Sequence, residues 1–61
     1  MADVDWVYLN IGGGVSRVTE PGSVPALGDG KVCNGKGYEV VAIITNRSAV
    51  PNDTVIAAEH P

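Results

Sequence analysis

The most reactive side chains in this sequence are single and far apart. Cys33 is the only cysteine and His60 the only histidine. A cysteine nucleophile needs a base beside it, and a zinc site needs several Cys or His ligands at close spacing. Asn34-Gly35, directly after Cys33, is instead typical of a hairpin turn. The sequence therefore predicts no catalytic residue, no metal site, no cofactor and no disulfide within the chain.

Gly12-Gly13-Gly14 is the segment most similar in composition to a phosphate-binding loop. A P-loop continues into Gly-Lys-Ser/Thr and a helix whose N-terminus faces the anion. Here Val-Ser-Arg-Val follows, which is typical of a strand. We therefore expect a hairpin loop at 12–14. The seven Asp and Glu residues fall mostly at predicted strand ends and turns, which indicates solvated positions rather than an acid–base pair.

Three aromatic side chains, Trp6, Tyr8 and Tyr38, are the largest apolar groups, because the chain has no Phe. Trp6 and Tyr8 fall on one face of a predicted strand. One interpretation is that the three rings form a modest core. The other is that they bind a partner, since Trp and Tyr dominate the energetics of protein interfaces. The position of Trp6 near an acidic N-terminus favours an edge strand that extends a neighbour's sheet.

The elements that must position these rings are predicted to be strands. Ten Val and four Ile against two Leu favour β-structure, and eight Gly and four Pro divide the chain into short pieces without helices. We expect one all-β domain over 1–61, either a small antiparallel sheet or a partly open barrel of 4–5 short strands with long Gly/Pro loops. The predicted strands are 4–11, 15–19, 31–33, 36–45 and 54–58, and the predicted loops include 20–30 and 46–53.

Two of these strands are apolar on both faces. The strand 4–11 is apolar throughout except near its ends. The strand 36–45 places Tyr38, Val40, Ala42 and Ile44 on one face and Glu39, Val41 and Ile43 on the other, which makes it the predicted central strand. Strands of this kind are covered on both sides. The cover comes either from the same domain or from a neighbouring molecule.

Size and charge narrow the classes of protein further. A chain of 61 residues buries only about 60% of the surface exposed when unfolded, so burial against a partner is the expected supplement to its stability. The net charge is −3, with scattered Lys and Arg, which disfavours nucleic-acid binding. The N-terminal sequence is acidic and the longest apolar run is 40–44, so we expect cytoplasmic synthesis and no membrane span.

The sequence thus predicts a non-enzymatic structural or accessory subunit of a larger assembly, such as a decoration or cement protein of a viral capsid or tail. Its partners would be larger subunits or copies of itself, and Trp6, Tyr8 and Tyr38 are the candidate partner-binding residues. Two alternatives remain open. The first is a free-standing β-barrel module that binds a peptide or protein. The second is an inhibitor or regulatory subunit of an enzyme.

Overall fold

A computed structural model of the chain describes residues 3–45 and 52–61. Five strands form one sheet that curls into a half-barrel, and the described residues contain no helix. The prediction of an all-β, partly open barrel is confirmed. The strands are β1 (Asp3–Leu9), β2 (Val15–Pro21), β3 (Gly30–Cys33), β4 (Lys36–Ile44) and β5 (Asp53–Glu59).

Two tight hairpins form where the glycines predicted them. Between β1 and β2, the N–H of Asn10 donates to the carbonyl of Gly14 at 2.9 Å, and Gly13 adopts a φ of 96°. Between β3 and β4, Asn34 and Gly35 have φ values of 53° and 77°, as the two central positions of a type I′ turn require. Both strand pairs are antiparallel, as strands joined by tight turns must be.

The strand order is β2-β1-β5-β4-β3, so β5 is the middle strand. The prediction that β4 is central is therefore wrong, since β4 lies one position from the edge. The prediction that Trp6 lies on an edge strand is also wrong, because β1 lies between β2 and β5. The β1–β5 pair is parallel, with Trp6 opposite Val55 and Tyr8 opposite Ala57. This contact joins the two ends of the described chain, and no local pattern specifies it.

A β-bulge between Val40 and Ala42 changes the faces of β4. Val40 lies opposite Ala57, and after the bulge Ala42 lies opposite Ile56 and Ile43 opposite Val55. The extra residue at a bulge reverses the alternation of side chains beyond it. Ile43 therefore packs against the core, and the predicted placement of Ala42 and Ile44 on the Tyr38 face is wrong.

The long Gly/Pro loops expected from the sequence are not confirmed. Strand β2 continues to Pro21, which is tolerated because β2 is an edge strand, and β3 already begins at Gly30. The remaining segment, 22–29, is held by the sheet, since Gly28 N–H donates to the Val40 carbonyl at 2.9 Å. Asp29 Oδ2 also accepts from the N–H of Ala26 at 3.0 Å. Most of the predicted loop 46–53 lies outside the described residues.

The core lies on the concave side of the curled sheet, which we call the inner face. Its buried hydrophobic side chains come from the three middle strands, and they are Val4, Trp6, Tyr8, Tyr38, Val40, Val55 and Ala57. Val24 from segment 22–29, Cys33 and Ile43 pack against this cluster. The curl of the sheet allows one layer of strands to enclose its own core.

Candidate functional site

The three aromatic residues singled out by the sequence come together in the core. Trp6, Tyr8 and Tyr38 are 7%, 0% and 4% exposed. The rings of Trp6 and Tyr8 stack with centroids 5.8 Å apart and planes 10° apart, and Tyr8 meets Tyr38 at 4.8 Å with a 56° tilt. Such aromatic contacts stabilise a core beyond their buried area. The geometry therefore fits the interpretation of the rings as a core.

The two tyrosine hydroxyls differ in their partners. Tyr38 Oη donates to Asn10 Oδ1 at 2.5 Å, which ties the inner face to the β1–β2 hairpin. Tyr8 Oη is buried and has no hydrogen-bond partner among the described residues. Burial raises the pKa of Tyr8 to about 12, and the nearby charge of Glu20 and the thiol of Cys33 add to this. A thiol is too weak a partner to satisfy the hydroxyl.

The two edge strands approach each other along an open seam. Lys31 Nζ of β3 lies 2.9 Å from Glu20 Oε1 of β2, and it also lies 4.7 Å from the centroid of the Trp6 ring. Both side chains are about one third exposed or less, so the ion pair is partly shielded from water. Since β2 and β3 are not hydrogen-bonded to each other, this contact and the core packing beneath it join the two sides of the half-barrel.

The three predicted partner-binding residues are buried within the chain itself, which limits a partner's access to them. Trp6, Tyr8 and Tyr38 are covered by the chain itself, so a partner reaches them only through the seam. That they bind a partner stays a prediction. Their present contacts are with each other and with the rest of the core on the inner face.

The opposite, convex side of the sheet, which we call the outer face, is apolar and lacks a second layer of described residues. The register aligns Leu9 with Ala58, and Val7 with Ile56 and Ala42. Leu9 is 39% exposed and the others are half-buried. Val15 and Ile44 extend this surface to both sides. A soluble chain seldom leaves a contiguous apolar sheet face open to water.

Polar groups flank the outer face beside the β1–β2 pair. Thr19 Oγ1 donates to Asp5 Oδ1 at 2.7 Å, and Asn52 Nδ2 reaches the same oxygen at 3.3 Å. Arg17 lies next to them and makes no ion pair within the described part of the chain. Asp5, Arg17 and Thr19, with Trp6 and Val18, line a solvent-open depression of about 200 Å³.

The sequence carries one signal for the outer face, which is the apolar character of whole strands. The two-faced apolar character of β1 and β4 predicts a cover on both sides, from the same domain or from a neighbour, and β5 has the same character in Val55-Ile56-Ala57-Ala58. The grouping of these residues into one surface was not predictable, because it depends on the β1–β5 pairing and on the bulge in β4.

Residues 3–45 and 52–61 contain no group of three or more His, Cys, Asp or Glu side chains placed to hold a metal ion. A helix long and apolar enough to cross a membrane is likewise absent from those residues. No protein-family model, curated protein or solved structure matches the chain. Interpretation of its function therefore rests on the geometry of its faces and edges.

Proposed function

We propose that this protein is a non-enzymatic structural or accessory subunit that docks on a larger assembly through the outer face of its sheet. The single observation that carries this proposal is the apolar surface centred on Val7, Leu9 and Ile56, over which the described residues place no second layer. Docking would supply the second layer that strands apolar on both faces require. A capsid or tail accessory protein is one kind of subunit with this requirement.

Charge specifies the kind of surface that fits. The outer face carries the carboxylates Asp5 and Glu39 at its margins, and Arg17 is the cation on the same face. The whole chain has a net charge of −3. Interfaces combine an apolar centre with a polar rim whose charges complement those of the partner. The matching surface is therefore an apolar patch on a larger subunit, bordered by Lys and Arg.

Two substitutions with the same chemical change test the outer face. Leu9 and Leu27 are both exposed, at 39% and 65%, but Leu9 lies on the outer face and Leu27 in segment 22–29. Leu9→Lys places a charge in the centre of the docking surface, so we expect at least a hundredfold loss of affinity for the larger subunit. Leu27→Lys is expected to bind like the wild type.

The measurement needs the larger subunit as a purified protein. The tagged chain is purified from the cells that naturally make it, and the subunit that accompanies it in a fixed ratio is expressed separately. Titration calorimetry then compares the wild type, Leu9→Lys and Leu27→Lys, after circular dichroism has established that all three are folded. Equal affinities of Leu9→Lys and the wild type would disprove docking through the outer face. A chain that purifies alone and melts reversibly as a monomer would support a free-standing module instead.

A further inference from the structure

The outer edge of β2 is a long and accessible strand edge. Every residue of β2 except Glu20 is exposed, including Val15 at 60% and Val18 at 39%. The β2 strand spans seven residues, with proline only at its end, whereas β3 at the other edge has four. Proteins usually protect a free edge by shortening it, bulging it or adding lysines. Over Val15–Thr19 the β2 edge is neither short nor bulged and contains no lysine or proline, and its single charge is Arg17.

The hydrogen-bond pattern shows which backbone groups are free. Asn10 and Gly14 form a hydrogen-bonded pair at the start of the β1–β2 ladder. Such pairs alternate in antiparallel strands, so Ser16, Val18 and Glu20 bond to β1. The N–H and C=O groups of Val15, Arg17 and Thr19 therefore point away from the sheet. They form an open ladder that ends at Pro21, which has no N–H.

We propose that this edge pairs with the same edge of a second copy of the chain, giving an antiparallel two-fold dimer centred on Val18. In this register Val18 lies opposite Val18 of the second copy, and Arg17 lies opposite Thr19 of the second copy. Two-fold dimers with self-complementary interfaces are the commonest homo-oligomers. The pairing joins the two outer faces into one surface, but it does not depend on whether that surface docks.

Charge and the position of Pro21 favour this register over the two neighbouring ones. Moving the centre to Arg17 would place two guanidinium groups directly opposite each other, which is destabilising. Moving it to Thr19 would place Pro21, without a donor, opposite Arg17. With Val18 at the centre, each Arg17 lies beside Thr19 of the other copy, whose hydroxyl binds Asp5 at 2.7 Å. The depression of about 200 Å³ lined by Asp5, Thr19 and Arg17 offers room for that incoming guanidinium.

Engineered cysteines test the register in the full chain with Cys33→Ser as background. Residues opposite each other in a non-hydrogen-bonded pair have Cα atoms about 4.5 Å apart, within the range of a disulfide. Val18→Cys should therefore form a dimer linked by a disulfide under mild oxidation at micromolar concentration. Ser16→Cys is the matched control, because it lies on the same face but faces Glu20 of the second copy. Equal cross-linking of both variants, or of neither, would overturn the proposal.

Sedimentation equilibrium tests the outward N–H groups of β2 and the contact between Arg17 of one copy and Asp5 of the other. Arg17→Pro removes an outward N–H from an edge position where proline is tolerated, so it should give a folded monomer. Arg17→Glu should weaken the dimer about tenfold because the contact occurs twice, and adding Asp5→Lys should restore it. Dimerisation unchanged by Arg17→Pro, or a wild type that stays monomeric at millimolar concentration, would refute the pairing. Leu9→Lys should leave the dimer intact, which separates this proposal from docking through the outer face.

Discussion

The two faces of the sheet both carry apolar side chains but differ in how far these side chains are buried. The inner face packs its rings and valines into a core in which Tyr8 and Val55 are fully buried. The outer face leaves Leu9 and Val15 in contact with water. One curled layer of strands can enclose only its concave side. Apolar composition alone therefore does not make a core, and the direction of the curl decides which residues stabilise the fold and which remain for binding.

The largest expected difference between the faces is in stability. Tyr8 and Leu9 are neighbours in sequence but lie on opposite faces. Tyr8→Ala should lower the free energy of unfolding by about 3–5 kcal/mol, enough to unfold a domain of this size, because it leaves a cavity among packed rings. Leu9→Ala should change it by less than about 1 kcal/mol. Urea denaturation followed by Trp6 fluorescence measures both, and similar losses would show that the faces are equivalent.

The next largest effect is a loss of folding stability at alkaline pH, which arises from Tyr8 on the inner face. Burial raises the pKa of Tyr8 to about 12, from an ordinary value near 10. Above pH 10 the unfolded chain releases this proton before the folded chain does, so stability should fall as pH rises from 10 to 12. At lower pH the contribution is fully present. Urea titrations at pH 9 and 11.5 measure the fall, and Tyr8→Phe, which cannot ionise, should reduce it. An identical fall in Tyr8→Phe would contradict this assignment.

A smaller difference separates the two tyrosines of the inner face. Tyr38→Phe removes the hydrogen bond to Asn10 Oδ1 and should lower stability by about 1 kcal/mol. Tyr8→Phe removes a buried hydroxyl without a partner, so it should be neutral or stabilise by up to about 1 kcal/mol. Thermal unfolding at pH 7 compares the two. If Tyr8→Phe is the more destabilising variant, the Tyr8 hydroxyl has a partner in solution.

Local sequence was a reliable guide where neighbouring residues decide the conformation. Asn34-Gly35 and the Gly12–14 segment turn the chain as predicted, because both hairpins need a positive φ at a defined position. Strict alternation placed Tyr38 and Val40 correctly on one face of β4. Alternation gives the wrong faces beyond Val40, because the bulge inserts one extra residue into β4. The bulge forms in the pairing with β5, which the local sequence of β4 does not specify.

The candidate binding surface was harder to predict than the fold class. Interfaces prefer large rings, yet the same size makes these rings the best filling for a small core, so the sequence leaves both roles open for Trp6, Tyr8 and Tyr38. The smaller outer-face residues, such as Ala42 and Ala58, do not individually indicate a binding surface. They form a surface only when the strands carrying them lie side by side.

By itself the sequence determined that the chain would be β-structured, where its two tight hairpins would turn, and that more apolar strand surface existed than so short a chain could cover. These features depend on backbone preferences and on composition, which act over a few residues or over the whole chain. The tertiary structure alone decided that β5 would join β1 in parallel, that β4 would bulge, and which face would become the core. Such outcomes depend on packing between residues distant in sequence, and this packing exists only once the sheet has curled.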